Sequence, residues 1–269
     1  MLKKYNTEYS QVTSIVIRSV DALRKWRAQH TESIGLVMTM GCLHAGHAAL
    51  LRESVKHNDI TVLTIFTNPT QFNQITDFES YPKTVEADIA LAEACQVDVI
   101  FMPAYQEMYP DDYGYRVSET ELSRVMEGKH RPGHFEGMLT IVSKMMILVR
   151  ATRAYFGEKD YQQLQLVRGM AKALFIETDI IGIPTVRESN QLALSSRNTR
   201  LSVDQKAVAA RFPQILLTAK TTEHATQCLC AEGFDVEYIE EYGGRRMGAV
   251  CLDGVRLIDN VVLKGKESC

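Results

Sequence analysis

Two histidines and two glycines stand between an apolar segment and an amphipathic segment in the first fifth of the chain. The apolar segment ends at Met40, and Gly41-Cys42-Leu43-His44-Ala45-Gly46-His47 leads into the amphipathic residues 48–55. This order predicts a strand, a glycine-containing turn and the start of a helix. The free N–H groups and the positive end of such a helix suit a phosphate. His44 and His47 lie on one helical turn, so both would face that phosphate.

The same motif alone has other interpretations. A glycine turn between a strand and a helix can serve packing only, and a His-x-x-His pair can bind zinc or cap the helix. Whether the turn serves nucleotide chemistry therefore depends on the groups that the rest of the chain supplies.

A second polar turn follows the next predicted strand. Residues 59–66 are apolar and β-branched, which favours a strand buried in a parallel sheet, and Thr67-Asn68-Pro69-Thr70-Gln71-Phe72 ends it. Ligands of open parallel sheets bind beyond the carboxyl ends of the strands. Asn68 and Gln71 can therefore converge with the two histidines, although an ordinary turn is the alternative.

A third turn, Gly157-Glu158-Lys159-Asp160, again joins a predicted strand to a predicted helix. Lys159 could meet a polyphosphate, Asp160 could meet a ribose hydroxyl, and Gln163 would face the same crevice one helical turn later. The alternative is a solvated cap without chemistry.

Two further segments offer cationic and hydroxyl groups. Residues 128–134 include Arg131 and His134, and their glycines and proline predict a basic loop rather than a packed element. Residues 194–198 contain Ser195-Ser196-Arg197, a set that can wrap phosphate oxygens from a mobile loop.

The bulk composition bounds the class of protein. The chain has 269 residues, 45% of them apolar, which favours two domains. Its 30 basic and 33 acidic residues give a formal charge of −3, so no general attraction to nucleic acid or membranes is expected. Without a long apolar run or an apolar signal core, a cytoplasmic location is expected. The six scattered cysteines, Cys269 among them, are then expected to be free thiols.

Alternating strand and helix patterns position these turns and predict an α/β fold with a mostly parallel sheet. A surface helix within residues 11–30 is expected before the first strand. A helix ending near Ala94 is expected to turn Asp88 toward solvent. Beyond residue 185 the pattern changes to a helix over 203–219, a second helix and a hairpin turning at Asp253-Gly254. We therefore divide the chain into domains 1–185 and 186–269.

The order of these motifs resembles the pantoate–β-alanine ligase family (pantothenate synthetases, AMP-forming), within the nucleotidylyltransferase superfamily that carries His-x-Gly-His. Besides the turns above, the resemblance includes Tyr81-Pro82, Arg131-Pro132-Gly133-His134-Phe135, Pro184-Thr185-Val186-Arg187-Glu188 and Val255-Arg256-Leu257-Ile258-Asp259-Asn260. It implies a Rossmann-like N-terminal domain and a smaller C-terminal α+β lid domain. It also implies ATP-dependent condensation of (R)-pantoate with β-alanine through pantoyl-adenylate, a step of pantothenate and coenzyme A biosynthesis.

The resemblance also implies roles for individual residues. His47, as proton donor, and His44, Lys159 and Arg197 would be catalytic. Gln71 and Gln163 would bind pantoate, Gln71 would also approach β-alanine, and Asn68, Tyr81 and His134 are second-rank candidates. The ATP site would comprise Met40, Gly41, Cys42, Leu43, His44, Ala45, Gly46, His47, Gly157, Glu158, Lys159, Asp160, Val186, Leu194, Ser195, Ser196 and Arg197.

The chemistry explains these residue types. The carboxylate of pantoate is already ionised, so its attack on the α-phosphorus needs positioning and neutralisation of phosphate charge. Mg²⁺ would bind mainly through the phosphates, without a metal site on the protein, and the enzyme would be a homodimer. No residue is assigned as the base that deprotonates β-alanine.

Three other functions compete with this one. An adenylyltransferase acting on another small acid is disfavoured by Gln71 and Gln163. A non-catalytic nucleotide-binding regulator is disfavoured because both histidines, Lys159 and Arg197 are present. A zinc protein is disfavoured because no further ligand pair stands at suitable spacing.

The sequence departs from the family pattern at a few positions. Met38 stands where proline is common, Ala45 where an acidic residue is common, and Asn190-Gln191 where Asp-Gly is frequent. The region from Val186 onward is shorter than usual for the family. None of these departures removes a group with an assigned role.

Overall fold

A computed structural model describes residues 13–263 of the chain. The nine strands in this range are β1 Ile15–Ile17, β2 Ile34–Thr39, β3 Ile60–Ile65, β4 Val99–Phe101, β5 Arg153–Gly157, β6 Asp179–Ile183, β7 Asp235–Tyr242, β8 Arg245–Leu252 and β9 Val255–Val262. The eleven α-helices are α1 Val20–Ala28, α2 Ala45–His57, α3 Ile75–Glu79, α4 Val85–Ala94, α5 Tyr105–Met108, α6 Glu127–His130, α7 His134–Val149, α8 Tyr161–Ala173, α9 Val203–Ala209, α10 Arg211–Thr218 and α11 Thr222–Ala231.

The larger sheet has six parallel strands in the order β1-β4-β3-β2-β5-β6. Its central strand β2 is apolar, and Leu36 pairs with Val62 on one side and Ala154 on the other. Buried on both faces, such a strand needs a continuous apolar run rather than alternation. The predicted α/β, Rossmann-like architecture is confirmed.

The register of this sheet aligns the carboxyl ends of four strands. Thr39 at the end of β2 pairs with Ile65 of β3, and Gly157 at the end of β5 pairs with Ile183 of β6. The turns that follow these strands therefore leave the sheet at the same edge, which is where an open parallel sheet binds its ligand.

Helix α7 fills much of the first core. Its methionines Met138, Met145 and Met146 are buried among the apolar side chains of the larger sheet. Their flexible side chains fill irregular space between helix and sheet.

The smaller sheet is antiparallel, in the order β7-β8-β9, and packs with α10 and α11 around a second core. The predicted hairpin joins β8 to β9, with φ of +48° at Asp253 and +76° at Gly254. Two central residues with positive φ match the twist of an antiparallel pair. The α+β character of this region is confirmed, whereas the division at residue 185 stays a prediction.

Two predictions about elements are wrong. The surface helix expected within residues 11–30 is present as α1, but it does not precede the first strand. Residues 15–17 form a strand at the edge of the larger sheet before α1, because Ile15, Val16 and Ile17 are β-branched and pair with β4; residues 11 and 12 lie outside the described range. The single helix over 203–219 is two helices that meet at Ala210. Pro213 lacks an N–H, so it fits only in a first helical turn.

Five cysteines are free thiols, as predicted: Cys42, Cys95, Cys228, Cys230 and Cys251. Cys269 lies outside the described residues. Between residues 13 and 263, no helix has the length and apolar character that crossing a bilayer requires.

Candidate active site

A cavity of about 270 Å³ opens where the four aligned strands end. Residues from the turns after β2, β3, β5 and β6 line it together with residues 194–197. The predicted site residues on its wall are Met40, His44, Gly46, His47, Asn68, Gln71, Tyr81, His134, Gly157, Lys159, Asp160, Gln163, Val186, Leu194, Ser195, Ser196 and Arg197. Gly41, Cys42, Leu43, Ala45 and Glu158 are absent from the wall among the described residues.

Asp88 explains why part of the first turn lies off the wall. Only 2% of Asp88 is exposed, so the prediction that it faces solvent is wrong. Its carboxylate accepts the N–H groups of Cys42 at 3.0 Å and Leu43 at 2.7 Å. Successive N–H groups in a turn with positive φ form a nest for an anion, and here Asp88 supplies that anion. These two N–H groups are therefore paired within the protein.

The two histidines are held by the backbone of their own turn. The N–H of Gly46 donates to His44 Nδ1 at 3.1 Å, and the N–H of His44 donates to His47 Nδ1 at 3.2 Å. A backbone N–H can only donate, so each Nδ1 must be the acceptor. The remaining proton of each neutral ring then sits on Nε2, which leaves Nε2–H as the group free to donate.

Burial keeps both rings neutral near pH 7. Burial, and then the charge of Lys159, lowers the pKa of His44. Burial, the neighbouring His44 and Lys159 lower the pKa of His47 to about 3. The pair therefore presents two neutral N–H donors, with ring centroids 4.1 Å apart.

Lys159 and Arg197 bring positive charge to the cavity from two different turns. Lys159 leaves the turn after β5, and its Nζ lies 3.8 Å from Asp160 Oδ1, with 18% of the side chain exposed. Arg197 lies in a short helical turn that the Ser195 hydroxyl caps, and its guanidinium pairs with Asp77 of α3 at 3.2 Å. Burial raises the pKa of Tyr81, whose hydroxyl interacts with Ser196.

Gln71 is fixed by buried neighbours. Asn68 Nδ2 donates to Gln71 Oε1 at 2.9 Å, and Gln71 Nε2 lies 3.2 Å from Met40 Sδ. Asn68 is oriented in turn, because its Nδ2 donates to the Gly137 carbonyl and its Oδ1 accepts from the Tyr109 hydroxyl. One Nε2 hydrogen of Gln71 is therefore directed at Met40, and the other remains to be donated at the cavity wall. Sequence reasoning missed Tyr109, which is 41 residues from Asn68 and carries no motif.

Arg131 and His134 hold the backbone of Gln71. His134 Nδ1 donates to the Gln71 carbonyl at 2.8 Å, and Arg131 donates to the same oxygen at 3.2 Å. Burial and the charge of Arg131 lower the pKa of His134 to about 4. The predicted basic loop over 128–134 is wrong, because Glu127–His130 is a helix and His134 begins the next one.

Known proteins similar to this chain share its architecture. The family model described as pantoate-beta-alanine ligase matches residues 15–262. A pantothenate synthetase of Bdellovibrio bacteriovorus is 48% identical over 91% of this chain and 98% of its own length. One of Legionella pneumophila is 52% identical over 86% of this chain and 92% of its own.

Solved structures extend this likeness to three dimensions. A pantoate-beta-alanine ligase of Francisella tularensis, solved with beta-gamma ATP and beta-alanine, has a TM-score of 0.89 and 36% identity, covering 95% of this chain and 100% of that one. A pantothenate synthetase of Thermus thermophilus has a TM-score of 0.85 and 37% identity, covering 92% and 98%. From its sequence and its fold, the chain belongs to the pantoate–β-alanine ligase family.

Proposed function

We infer that the chain catalyses the ATP-dependent condensation of (R)-pantoate with β-alanine, giving pantothenate, AMP and pyrophosphate through pantoyl-adenylate. One observation carries this inference for the chain's own residues. The wall of a single cavity brings together two neutral histidine donors and Lys159 with the amide of Gln71. The first set suits phosphate and the second suits a small hydroxy acid.

In the first step a pantoate carboxylate oxygen attacks the α-phosphorus of ATP. An O–P bond forms, the bond between α- and β-phosphate breaks, and pyrophosphate leaves. Charge spreads over the phosphate oxygens in the transition state. The Nε2–H groups of His44 and His47, together with the ammonium of Lys159 and the guanidinium of Arg197, are placed to stabilise that charge.

The acid is held by neutral groups. Gln71 keeps one Nε2 hydrogen that is not directed at Met40, and Gln163 of α8 lies on the same cavity wall. Amide groups make directional hydrogen bonds to a carboxylate and a hydroxyl without competing for the cations that phosphate needs. Asn68 and His134 act on the acid through Gln71.

In the second step the neutral amine of β-alanine attacks the carbonyl carbon of the adenylate. A C–N bond forms, the bond from carbonyl carbon to phosphate oxygen breaks, and AMP leaves. The resemblance to the family supports Gln71, on the cavity wall, as the residue that also approaches β-alanine. The lowered pKa values of His44 and His47 make both rings weak bases, so we assign neither to deprotonate the amine.

Mg²⁺ is proposed to accompany ATP on its phosphates. Between residues 13 and 263 there is no group of three or more histidine, cysteine, aspartate or glutamate side chains arranged for a metal. Asp160 contributes a carboxylate to the cavity wall beside Lys159.

The resemblance to the family supports three further proposals: a homodimer, a cytoplasmic location, and a C-terminal domain 186–269 that acts as a lid over domain 1–185. The last larger-sheet strand ends at Ile183, and the buried side chains of the second core all lie between Leu192 and Leu257. Light scattering of the purified protein tests the dimer.

Isotope exchange between ATP and pyrophosphate tests the proposed function. We expect exchange that requires Mg²⁺ and (R)-pantoate, does not require β-alanine, and gives way to pantothenate formation when β-alanine is added. Exchange that ignores pantoate, or that occurs equally with other small hydroxy acids, would refute the assignment of substrate. The competing adenylyltransferase would give the second of these results.

A further inference from the structure

The segment Val255–Asn260 on β9 carries polar side chains that the reaction above does not use. Arg256 and Asn260 lie on the smaller sheet. Arg256 contacts Glu127, the first residue of α6, and Asn260 contacts Glu158, which directly follows β5 of the larger sheet. Neither side chain is on the wall of the 270 Å³ cavity. Their contacts, however, end on two different parts of that wall.

Arg256 reaches the pantoate side of the cavity through two charged residues. Its guanidinium makes a two-pronged ion pair with Glu127, at 2.7 and 2.8 Å. Glu127, only 6% exposed, also pairs with Arg131 at 3.2 Å. Arg131 then donates to the backbone carbonyl of Gln71. Arg256 is thus connected to Gln71 by an unbroken series of charge-assisted hydrogen bonds.

Glu127 remains charged in this buried place. Burial alone would raise its pKa, but the hydrogen bonds and charge of Arg256, with the charge of Arg131, outweigh burial and lower the pKa to about 2. A buried carboxylate with two arginine partners loses much when one partner is removed, because the charge is then left incompletely paired. The position of Arg131 therefore depends on Arg256.

Asn260 reaches the ATP side of the cavity. Its Nδ2 donates to the backbone carbonyls of Glu158 at 2.8 Å and Lys159 at 2.9 Å. Its Oδ1 accepts from Arg245 at 2.7 Å, and Arg245 also pairs with the Glu158 carboxylate. The short helical turn that carries Lys159 is therefore tied to the smaller sheet through its main chain.

We propose that β9 is a positioning strand with two separate arms, Arg256 placing Gln71 for pantoate and Asn260 placing Lys159 for ATP. This proposal rests on the function inferred above and adds residues that touch neither substrate. The two arms share no side chain, so each can be broken without the other. Docking of the smaller sheet then sets both halves of the site at once.

Steady-state kinetics of two variants test the separation. Arg256→Gln should raise the KM for pantoate about tenfold and leave the KM for ATP within about twofold. A tenfold change is what we expect if Gln71 loses roughly one charge-assisted hydrogen bond, the one from Arg131. Asn260→Ala should do the reverse, raising the KM for ATP about tenfold with little change for pantoate. If both variants raise both KM values to the same extent, or if neither changes either KM, the proposal is wrong.

A matched control separates positioning from simple loss of stability. Arg246 is a buried arginine of β8 whose partners are Glu241 and the backbone carbonyls of Leu216 and Ala219. Arg246→Gln should lower Tm and leave both KM values unchanged. A rise in either KM in this variant would show that destabilising the smaller sheet is enough, and would overturn the separate arms.

A conservative variant keeps the test decisive if Arg256→Gln does not fold. Arg256→Lys retains the charge with fewer hydrogen bonds, so its KM for pantoate should lie between those of wild type and Arg256→Gln, or above wild type when measured alone. An unchanged KM for pantoate in Arg256→Lys would count against the proposal. The exchange between ATP and pyrophosphate is measured on the wild-type protein in parallel. If the proposed function is wrong, the wild-type protein fails that assay; if only the positioning proposal is wrong, the wild-type protein passes it and the variants fail to show the expected KM changes.

Discussion

Two turns follow the neighbouring strands β2 and β3 and contribute to the cavity wall, and their key residues are held in place by different kinds of contact. In the histidine turn, residues 41–47, both rings are oriented by hydrogen bonds between residues two or three apart, Gly46 to His44 and His44 to His47, and Asp88 is the distant residue that holds the start of the turn. The glutamine turn, residues 67–72, is held by partners 60 or more residues away, Arg131 and His134. Short-range contacts can be inferred from spacing, whereas long-range ones depend on the packed fold.

This difference also bears on chemistry. The histidine turn can orient two donors toward phosphate from its own backbone, so the same arrangement can serve enzymes that adenylate different acids. The glutamine turn needs several separate elements to fix one amide. Selection of the acid is therefore the part of the function that depends most on the whole molecule.

The largest effect should come from removing the donor on His47. His47→Asn retains an acceptor for the His44 N–H but lacks the distal donor, so adenylate formation in single turnover should fall by ~10²–10³-fold, the scale of one lost transition-state donor. His47→Gln places an amide nitrogen near the former Nε2 and should keep more activity than His47→Asn. Equal rates of adenylate formation in the two variants would mean that the reaction depends on the hydrogen bond that residue 47 accepts from the His44 N–H, and not on a donor at the position of Nε2.

Asp88 tests whether the histidine turn depends on anything beyond its own backbone. Asp88→Ala leaves two N–H groups unpaired, so the free energy of unfolding should fall by roughly 1–3 kcal/mol and the KM for ATP should rise. Glu86→Gln, an exposed position on the same helix, is the control for both chemical denaturation and kinetics. A variant as stable as wild type would show that the turn needs no anion.

Acid pH should weaken both turns. His47 and His134 have pKa values of about 3 and about 4 in the folded chain, below the ordinary value of about 6.5. The unfolded chain therefore binds more protons below about pH 6.5, and unfolding becomes easier by up to about 1.4 kcal/mol per pH unit for each histidine. This stability is fully present above about pH 6.5 and is lost as the pH falls toward 4.

Urea denaturation between pH 7 and pH 5 measures that slope. In His134→Gln, the change in the free energy of unfolding with pH should be smaller by the amount that corresponds to about one proton. An unchanged pH dependence in this variant would contradict a neutral, buried His134.

The smallest effect should come from Tyr109, which tests whether the glutamine turn depends on the hydrogen bond between Tyr109 and Asn68. Tyr109→Phe removes one buried hydrogen bond to Asn68, so stability should fall by about 1 kcal/mol and the KM for pantoate should rise about threefold. Burial raises the pKa of Tyr109 to about 12, so its hydroxyl stays a donor throughout the accessible pH range. Tyr105→Phe, whose hydroxyl has no hydrogen-bond partner among residues 13–263, should change neither quantity.

The parallel sheet and the smaller α+β region could be predicted because their patterns are local. Apolar runs such as residues 34–39 indicate buried strands, and Asp253-Gly254 indicates a hairpin. The strand at residues 15–17 was missed because three residues give too short a pattern. Asp88 was misjudged because an acidic residue on a helix gives no sign that a distant turn needs its carboxylate.

The residues of the candidate site divide in the same way, into those that local patterns predict and those that only the packed fold brings together. Glycine turns placed His44 and Lys159 at one sheet edge, since strand ends predict where turns meet. Tyr109 and Glu127 could not be found this way, because Tyr109 meets Asn68 41 residues away and Glu127 meets Arg256 129 residues away, and only packing brings these partners together. Their roles stay proposals that the variants above decide.

The protonation and tautomeric states of His44 and His47 can be measured directly by nitrogen-15 NMR of protein labelled at histidine. At pH 7 we predict that His44 and His47 are both neutral, with an unprotonated Nδ1 and a protonated Nε2, because backbone N–H groups occupy each Nδ1. Spectra of His47→Asn assign the two rings. An imidazolium at either position, or a proton on either Nδ1, would contradict the claim that this turn presents two neutral donors to phosphate.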